Sequence, residues 1–172
     1  MNPDGQRLLY RIRILIAVVI AGLVVSGVTA FPLVHEIDLL YAWLNTPATP
    51  GPVLEWISQV RRALHFVDAN YPFLAYGTDW LAFGHLVIAL FFFGPLIDPV
   101  RNAWVIRAGQ IACVAVVPLA LICGELRGIP VWWRAIDCAF GVAGFIPLWF
   151  AERAVRKLAT VNQLAPNEWT LK

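Results

Sequence analysis

Residues 76–107 contain a segment long and apolar enough to cross a membrane, and they read YGTDWLAFGHLVIALFFFGPLIDPVRNAWVIR. Between Asp79 and Asp98 lie 18 residues without an acid, a lysine or an arginine. As a helix they extend about 27 Å, close to the roughly 30 Å of a bilayer's hydrocarbon core. The segment therefore predicts a membrane span. Its one titratable side chain, His85, lies about 9 Å beyond Asp79 along the helix axis.

The composition of the whole chain agrees with a fold in lipid. Of the 172 residues, 60% are hydrophobic and 14% are charged, and the mean hydropathy is +0.70. Soluble domains carry about 45 to 50% apolar and about 25% charged residues. The net charge of +2 comes from basic residues spread over several loops. This distribution argues against nucleic acid as a partner.

Further apolar stretches extend this prediction to the whole chain, residues 1–172, as a single membrane domain. The predicted spans are residues 14–34, 80–97, 108–124 and 131–151. No signal-peptide cleavage site follows the first, so it reads as a retained span. Residues 53–70 have apolar side chains at helical spacing interrupted by charges, which predicts an amphipathic helix in the membrane interface. The predicted fold class is an all-α, polytopic four-transmembrane-helix bundle with this interfacial helix in its outer loop.

Two kinds of residue predict local features of the spans. Thr78 or Asp79 is well placed to cap the first turn of the second span, because short polar side chains accept hydrogen bonds from free helical N–H groups. Each span also carries one proline, and prolines predict kinks and irregular packing. These prolines are Pro32, Pro95, Pro118 and Pro147.

The basic residues predict the orientation of the spans. With both termini in the cytoplasm, nine basic residues lie on the cytoplasmic side, as the positive-inside rule requires. The nine are Arg7, Arg11, Arg13, Arg101, Arg107, Arg153, Arg156, Lys157 and Lys172. The opposite side then holds Arg61, Arg62, Arg127 and Arg134. All three histidines, His35, His65 and His85, fall on the outer side or in the outer half.

The spacing of polar residues in the spans suggests one candidate site. His85 stands in a stripe of small residues, and Asp137 precedes Gly141 and Gly144 by four and seven positions. Measured from Asp79 and Trp133, His85 lies about 9 Å and Asp137 about 6 Å deep, so the two are expected to meet. An ionisable group inside a span marks a functional site by default. The predicted polar pocket consists of His85, Asp137 and Arg134, with His35, Glu36, Asp79 and Glu125 around its mouth.

A purely structural interpretation of the same residues stays open. Arg134 and Asp137 are three positions apart and within reach of a salt bridge. Asp79 then serves only as a helix cap, and His85 hydrogen-bonds a backbone carbonyl. Cys113, Cys123 and Cys138 show no CxxC spacing and read as buried thiols, with a Cys123–Cys138 disulfide left open.

Metal and haem chemistry receive weaker support. A bis-histidine haem requires two histidines at equal depth, and His35 lies nearer the surface than His85. His35, Glu36 and His85 have the ligand types of a zinc or iron site, but no HxxxH or ExxH pair supports one. No nucleophile motif such as GxSxG occurs. Catalytic residues and cofactors therefore stay unassigned.

Three stretches resemble a family of small, uncharacterised bacterial inner-membrane proteins with four spans. They are YGTDWLAFGH (76–85), GPLIDPVRNAWVI (94–106) and RGIPVWWRAIDCAFG (127–141). The resemblance covers about half of the chain. It implies a bacterial inner membrane and brings no activity or catalytic residue with it.

The leading functional hypothesis is a non-catalytic integral membrane protein. It acts as an accessory subunit or as a binder of a small ligand, a lipid or a quinone, through the outer-half polar pocket. Its expected partners are membrane lipids and a larger membrane complex or further copies of itself. The alternative is a membrane-embedded enzyme or metal or haem protein that uses His85 and Asp137 at the outer leaflet. A transporter ranks third, because four spans in one protomer would need to oligomerise to build a pathway.

Overall fold

The computed structural model describes residues 3–164, in which the regular elements are helices joined by turns and no strand occurs. This confirms the predicted all-helical class. Lys172, counted above among the cytoplasmic basic residues, lies outside the described residues. The helices are α1 (Pro3–Thr29), α2 (Leu33–Leu44), α3 (Gly51–Asn70), α4 (Ala75–Phe91), α5 (Phe93–Ile97), α6 (Ala103–Leu126) and α7 (Val131–Leu164), with a 3-10 turn at Pro72–Leu74.

Four helical segments are long and apolar enough to cross a membrane. They are Pro3–Thr29, Pro72–Ile97, Ala103–Leu126 and Val131–Val161. Between 11% and 22% of each apolar window is buried inside the protein. Large side chains such as Ile111 (70% exposed) and Phe140 (71% exposed) project outward from these helices. Continuous apolar surface of this kind is typical of contact with lipid, so the chain is a multi-pass membrane protein.

The helix boundaries differ from those of the predicted spans at several places, two of which concern the end of the first span and the start of the second. Helix α1 ends at Thr29, and a turn through Ala30–Pro32 separates it from α2. Helix α4 begins at Ala75, directly after the 3-10 turn. Thr78 and Asp79 therefore lie inside α4, and neither caps its first turn.

The prolines have different effects in different helices. The second membrane segment is interrupted at Phe92, between α4 and α5. Pro95 contributes to this interruption, because it has no N–H to donate to the carbonyl of Phe91. Pro118 and Pro147 lie inside α6 and α7, which continue through them.

The chain forms two compact units. The first, Gly22–Ile88, contains the end of α1, all of α2 and α3, and most of α4. Within it α2 packs along α3, and each of these helices contributes one buried isoleucine, Ile37 and Ile57. We call this the α2–α3 unit.

The second unit contains the start of α1 and the described residues from Ala89 onward. Helices α6 and α7 pack along each other over much of their length. The core includes Ile12, Ile16, Ile106 and Leu148, all almost fully buried. We call this the α6–α7 unit.

Candidate functional site

The seven residues of the predicted pocket are distributed over both units. His35, Glu36, Asp79 and His85 belong to the α2–α3 unit, and Glu125, Arg134 and Asp137 belong to the α6–α7 unit. The meeting of His85 with Asp137 stays a prediction.

His85 is half-buried in α4 and is fixed on two sides. Its Nδ1 donates a hydrogen bond to the carbonyl oxygen of Leu81, at 2.9 Å. Helix α1 passes close beside it at Gly27, where an added Cβ would lie 3.1 Å from the Cβ of His85 and 2.9 Å from the carbonyl oxygen of Ala82. With Nδ1 protonated for this bond, Nε2 carries the lone pair of the neutral ring.

Arg134 forms its ion pair with Glu125, and this replaces the expected pair with Asp137. Its Nη1 lies 2.6 Å from Oε2 of Glu125 and donates a longer bond of 3.3 Å to the carbonyl oxygen of Leu121. The arginine side chain, only 12% exposed, runs over Gly124, where any Cβ would overlap with Arg134 Cγ and Cδ. Gly124 therefore makes room for an arginine that joins the end of α6 to the start of α7.

Asp137 lies on the face of α7 that continues into Gly141, one turn later. At Gly141 an added Cβ would lie 2.6 Å from the carbonyl oxygen of Cys113, and at Gly144 it would lie 3.0 Å from the Cys113 sulfur. The glycines thus allow α6 and α7 to approach closely at this level. The thiols of Cys123 and Cys138 are free and form no disulfide.

A cavity of about 510 Å³ lies in the α2–α3 unit. The end of the turn between α1 and α2 and the start of α2, residues 31–35, form one wall, and the other walls come from Asp38, α3, the 3-10 turn and the start of α4. Most of the lining is apolar. The polar side chains in it are His35, Asp38, Asp68 and Thr78.

Asp38 joins this cavity to a contact between α2 and α3. Its Oδ1 accepts a hydrogen bond of 2.5 Å from Nε of Arg61 and one of 2.9 Å from Nε2 of His65. The guanidinium of Arg61 also stacks over the ring of Tyr41, 4.9 Å from its centroid. The hydrogen bond from His65, and then that from Arg61, holds the pKa of Asp38 below its ordinary value. Asp38 therefore stays ionised and fixed in the cavity wall.

Asp79 borders a second, smaller cavity of about 310 Å³ in the same unit. Aromatic side chains form its remaining walls, namely Phe31, Tyr76, Trp80 and Phe83. Phe31 also lines the larger cavity. Of the predicted pocket residues in this unit, His35 and Asp79 thus line cavities, while His85 is a lining residue of neither.

Sequence reasoning missed Asp38 and Asp68, which line the larger cavity, and the Asp38 partners Arg61 and His65. The available signal is the spacing of Arg61 and His65, four residues apart and therefore on one face of α3. Two basic donors on one helix face predict an acidic partner on the facing helix. The sequence does not indicate which acid serves, because α2 also carries Glu36.

A further charged cluster joins α6 and α7 in the other unit. Oε1 of Glu152 accepts hydrogen bonds from Arg107 at 3.0 Å and from Arg156 at 2.7 Å. The Glu152 side chain is only 12% exposed, whereas those of Arg107 and Arg156 are 61% and 68% exposed. These two ion pairs balance the charge of Glu152, which lies in a part of α7 whose other charged residues are basic.

Within residues 3–164, no three histidine, cysteine, aspartate or glutamate side chains come together in a way that could hold a metal ion. No protein-family model, curated protein or solved structure matches the chain.

Proposed function

We propose that this chain is a multi-pass protein of a bacterial inner membrane that binds one small amphiphile, a quinone or a lipid, in the 510 Å³ cavity of the α2–α3 unit. In this proposal the four spans form a bundle, both termini are cytoplasmic, and α3 lies in the outer interface. The protein performs no chemistry of its own and serves as an accessory subunit of a larger membrane complex. The observation that carries the proposal is the cavity itself, with its apolar lining and few polar side chains.

The size and position of the cavity suit an amphiphile. Small-molecule sites typically measure about 300 to 1,000 Å³ and combine apolar walls with a few polar groups. The cavity lies where the chain enters the second membrane segment, at Leu74 and Ala75. A ligand with a polar head here can keep its apolar tail in lipid.

The polar side chains of the lining favour a neutral or amine-bearing head. Asp68 brings a carboxylate that repels a phosphate without an amine, whereas the charge of Asp38 is balanced by its ion pair with Arg61. The hydroxyl of Thr78 can donate to a quinone carbonyl, and so can the imidazole of His35. The carboxylates can accept hydrogen bonds from a quinol or from the ammonium group of a phospholipid.

The distribution of side chains on α3 supports its proposed place in the interface. Ile57 is buried, while the charged Arg62, about 140° away around the helix, is exposed. A helix with separate apolar and charged faces binds at the boundary between headgroups and acyl chains. In this position α3 covers the outer side of the cavity.

Ligand-dependent stability tests the proposal with defined probes. We would add decylubiquinone, or short-chain phosphatidylethanolamine, to the detergent-purified protein and measure Tm. A ligand that binds only the folded state raises stability by about 2.7 kcal/mol at one hundred times its Kd. We expect one of the two probes to raise the Tm by binding in the cavity. Phosphatidylglycerol of the same chain length should not bind there, so any change in Tm that it causes should not depend on the residues that line the cavity.

Two variants in which phenylalanine replaces an alanine identify where the probe binds. Ala75→Phe places a ring in the cavity wall and should abolish the rise in Tm. Ala63→Phe adds the same ring at an exposed position of α3 outside the cavity and should preserve it. The proposal fails if neither probe raises the Tm of the wild type, or if Ala75→Phe responds as fully as Ala63→Phe.

A membrane-embedded enzyme or metal protein using His85 and Asp137 is the second candidate. The observation that favours it is the hydrogen bond from His85 Nδ1, because a ring oriented in this way presents Nε2 as a base or metal ligand. Metal analysis and a visible spectrum of the purified protein test this candidate. A colourless, metal-free preparation whose His85→Ala variant behaves like the wild type would eliminate it.

A further inference from the structure

Two arginines stand on one pair of aromatic rings in the α6–α7 unit. Trp149 and Phe150 of α7 contact each other edge to face, with ring centroids 4.9 Å apart. The guanidinium of Arg153 lies 3.7 Å from the centroid of Trp149, and that of Arg11 from α1 lies 5.9 Å from the centroid of Phe150. The aromatic pair thus carries one guanidinium on each of its two rings. We call these four residues the arginine–aromatic site.

The two positive charges have no acidic partner in the part of the chain that the structure describes. The ion pairs found there on α7 join Glu152 to Arg107 and Arg156, and Arg134 to Glu125. Glu152, next to Arg153 in sequence, is therefore already neutralised by other side chains. Arg11 and Arg153 are both exposed. The site carries an uncompensated charge of about +2, which favours an anionic ligand.

The geometry of the two arginines leaves their N–H groups available. When a guanidinium stacks on an aromatic ring, the ring contacts its flat face. Its N–H groups point outward in the plane of the guanidinium and can still donate hydrogen bonds. These N–H groups match the oxygen atoms of a phosphate. Stacking also orders the long arginine side chains before a ligand binds, which lowers the entropic cost of binding.

Apolar surface continues from the site along both helices. Ile14 follows Arg11 on α1, and Ile146 precedes Phe150 by one turn on α7; both are exposed. These helices belong to segments that are able to cross a membrane. Tryptophan beside arginine, where the apolar part of such a helix gives way to charged residues, is typical of the headgroup level of a bilayer. An occupant with a phosphate head and acyl chains fits both parts of this surface.

We propose that the arginine–aromatic site binds the phosphate headgroup of an anionic phospholipid, with its acyl chains along Ile14 of α1 and Ile146 of α7. Charge complementarity selects this lipid over a zwitterionic one, whose ammonium group would meet two guanidiniums. The site shares no residue with the cavity and selects an anionic headgroup, where the cavity favours a neutral or amine-bearing one. The proposal therefore holds or fails independently of the proposed function.

Native mass spectrometry of the folded, detergent-purified protein tests the proposal. We would titrate phosphatidylglycerol and phosphatidylcholine and compare their affinities in the double variant Arg11→Gln, Arg153→Gln. Near a membrane surface each arginine contributes roughly a fivefold gain in affinity for an anionic lipid, so we expect about 30-fold weaker binding of phosphatidylglycerol. The affinity for phosphatidylcholine should stay within about twofold.

The control variant Arg62→Gln, Arg127→Gln removes the same net charge from two exposed positions elsewhere. It should bind phosphatidylglycerol as the wild type does. Equal weakening in both double variants would show diffuse attraction and overturn the site, and so would a wild type without preference for phosphatidylglycerol.

A measurement on the wild type avoids any effect of the variants on folding. Phosphatidylglycerol with a photoreactive group near its phosphate should crosslink to peptides that contain Trp149–Arg153 or Tyr10–Ile14. Crosslinks spread evenly over all basic segments, or absent from both of these peptides, would contradict the proposal.

Discussion

Asp38 is the residue on which the charged contact between α2 and α3 depends. It accepts hydrogen bonds from Arg61 and His65 and also lines the cavity. Since these bonds lower the pKa of Asp38 in the folded protein, the unfolded chain binds a proton at Asp38 more readily. The resulting stabilisation is present above the ordinary pKa of 3.8 and is lost as the pH falls through the lower, folded value.

We expect the Asp38→Asn variant to lose part of this acid dependence. Between pH 7 and pH 3 the Tm of the wild type should fall more steeply than that of the variant, because the variant has no carboxylate to protonate at this position. Thermal unfolding in detergent measures the difference, with Asp68→Asn as the control for a carboxylate of the same cavity. Identical slopes for the wild type and Asp38→Asn would contradict the assigned role.

Gly124 leaves the space through which the Arg134 side chain extends from α7 to Glu125. In Gly124→Ala the new methyl group would overlap with the methylene groups of Arg134, which is also held by its ion pair. Overpacking of this kind typically costs about 1 to 3 kcal/mol. We expect a clear drop in Tm, whereas Gly22→Ala, in open space on α1, should leave the Tm unchanged or raise it.

The behaviour of Arg134 shows what spacing within one helix can and cannot predict. A separation of three residues correctly places Arg134 and Asp137 on neighbouring positions of α7. The ion pair forms with Glu125 instead, because the short turn at 127–130 brings the end of α6 beside the start of α7 and Gly124 clears the path. Such a contact depends on how the turn folds, which helical spacing does not report.

At the scale of elements, the packing of α6 on α7 depends on glycines of α7. Gly141 faces a backbone carbonyl, that of Cys113, which unlike a side chain cannot rotate away. The sequence already indicated this face, because Gly141 and Gly144 follow Asp137 at helical spacing. The partner helix could not be predicted, since the sequence carries small residues in every span.

We expect Gly141→Ala to separate α6 from α7 and to lower the Tm by more than Gly124→Ala does. The methyl group would lie 2.6 Å from a fixed backbone oxygen, so the helices themselves must move. Gly84→Ala is the matched control, because nothing lies within 4 Å of a Cβ at that position of α4. Similar Tm values for the two variants would show that this close contact does not stabilise the helix pair.

At the scale of the whole molecule, length and apolarity were sufficient to predict four membrane segments and the all-helical class of residues 3–164. They did not predict the early start of α4, which depends on local backbone geometry, and the break at Phe92 was indicated only as a kink at Pro95. The expected meeting of His85 and Asp137 rests on helical rise, which gives depth along an axis. Rise carries no information on which helices are neighbours, so that pairing stays a prediction.

The orientation in the membrane can be measured by labelling single cysteines in cells. In a background with the three native cysteines replaced by alanine, we would introduce Ala63→Cys on α3 or Lys157→Cys on α7. A membrane-impermeant maleimide should label Ala63→Cys in spheroplasts and Lys157→Cys only after permeabilisation, as the positive-inside rule predicts. The reverse pattern would place both termini outside.

The account depends most on the occupancy of the cavity in the α2–α3 unit. The most direct measurement is mass spectrometry of the organic extract from protein purified natively under mild conditions, compared between the wild type and Ala75→Phe. We predict about one quinone or amine-bearing lipid per wild-type chain, retained in Ala63→Phe and lost in Ala75→Phe. A wild-type extract without any such molecule, or with the same amount in Ala75→Phe, would contradict the account.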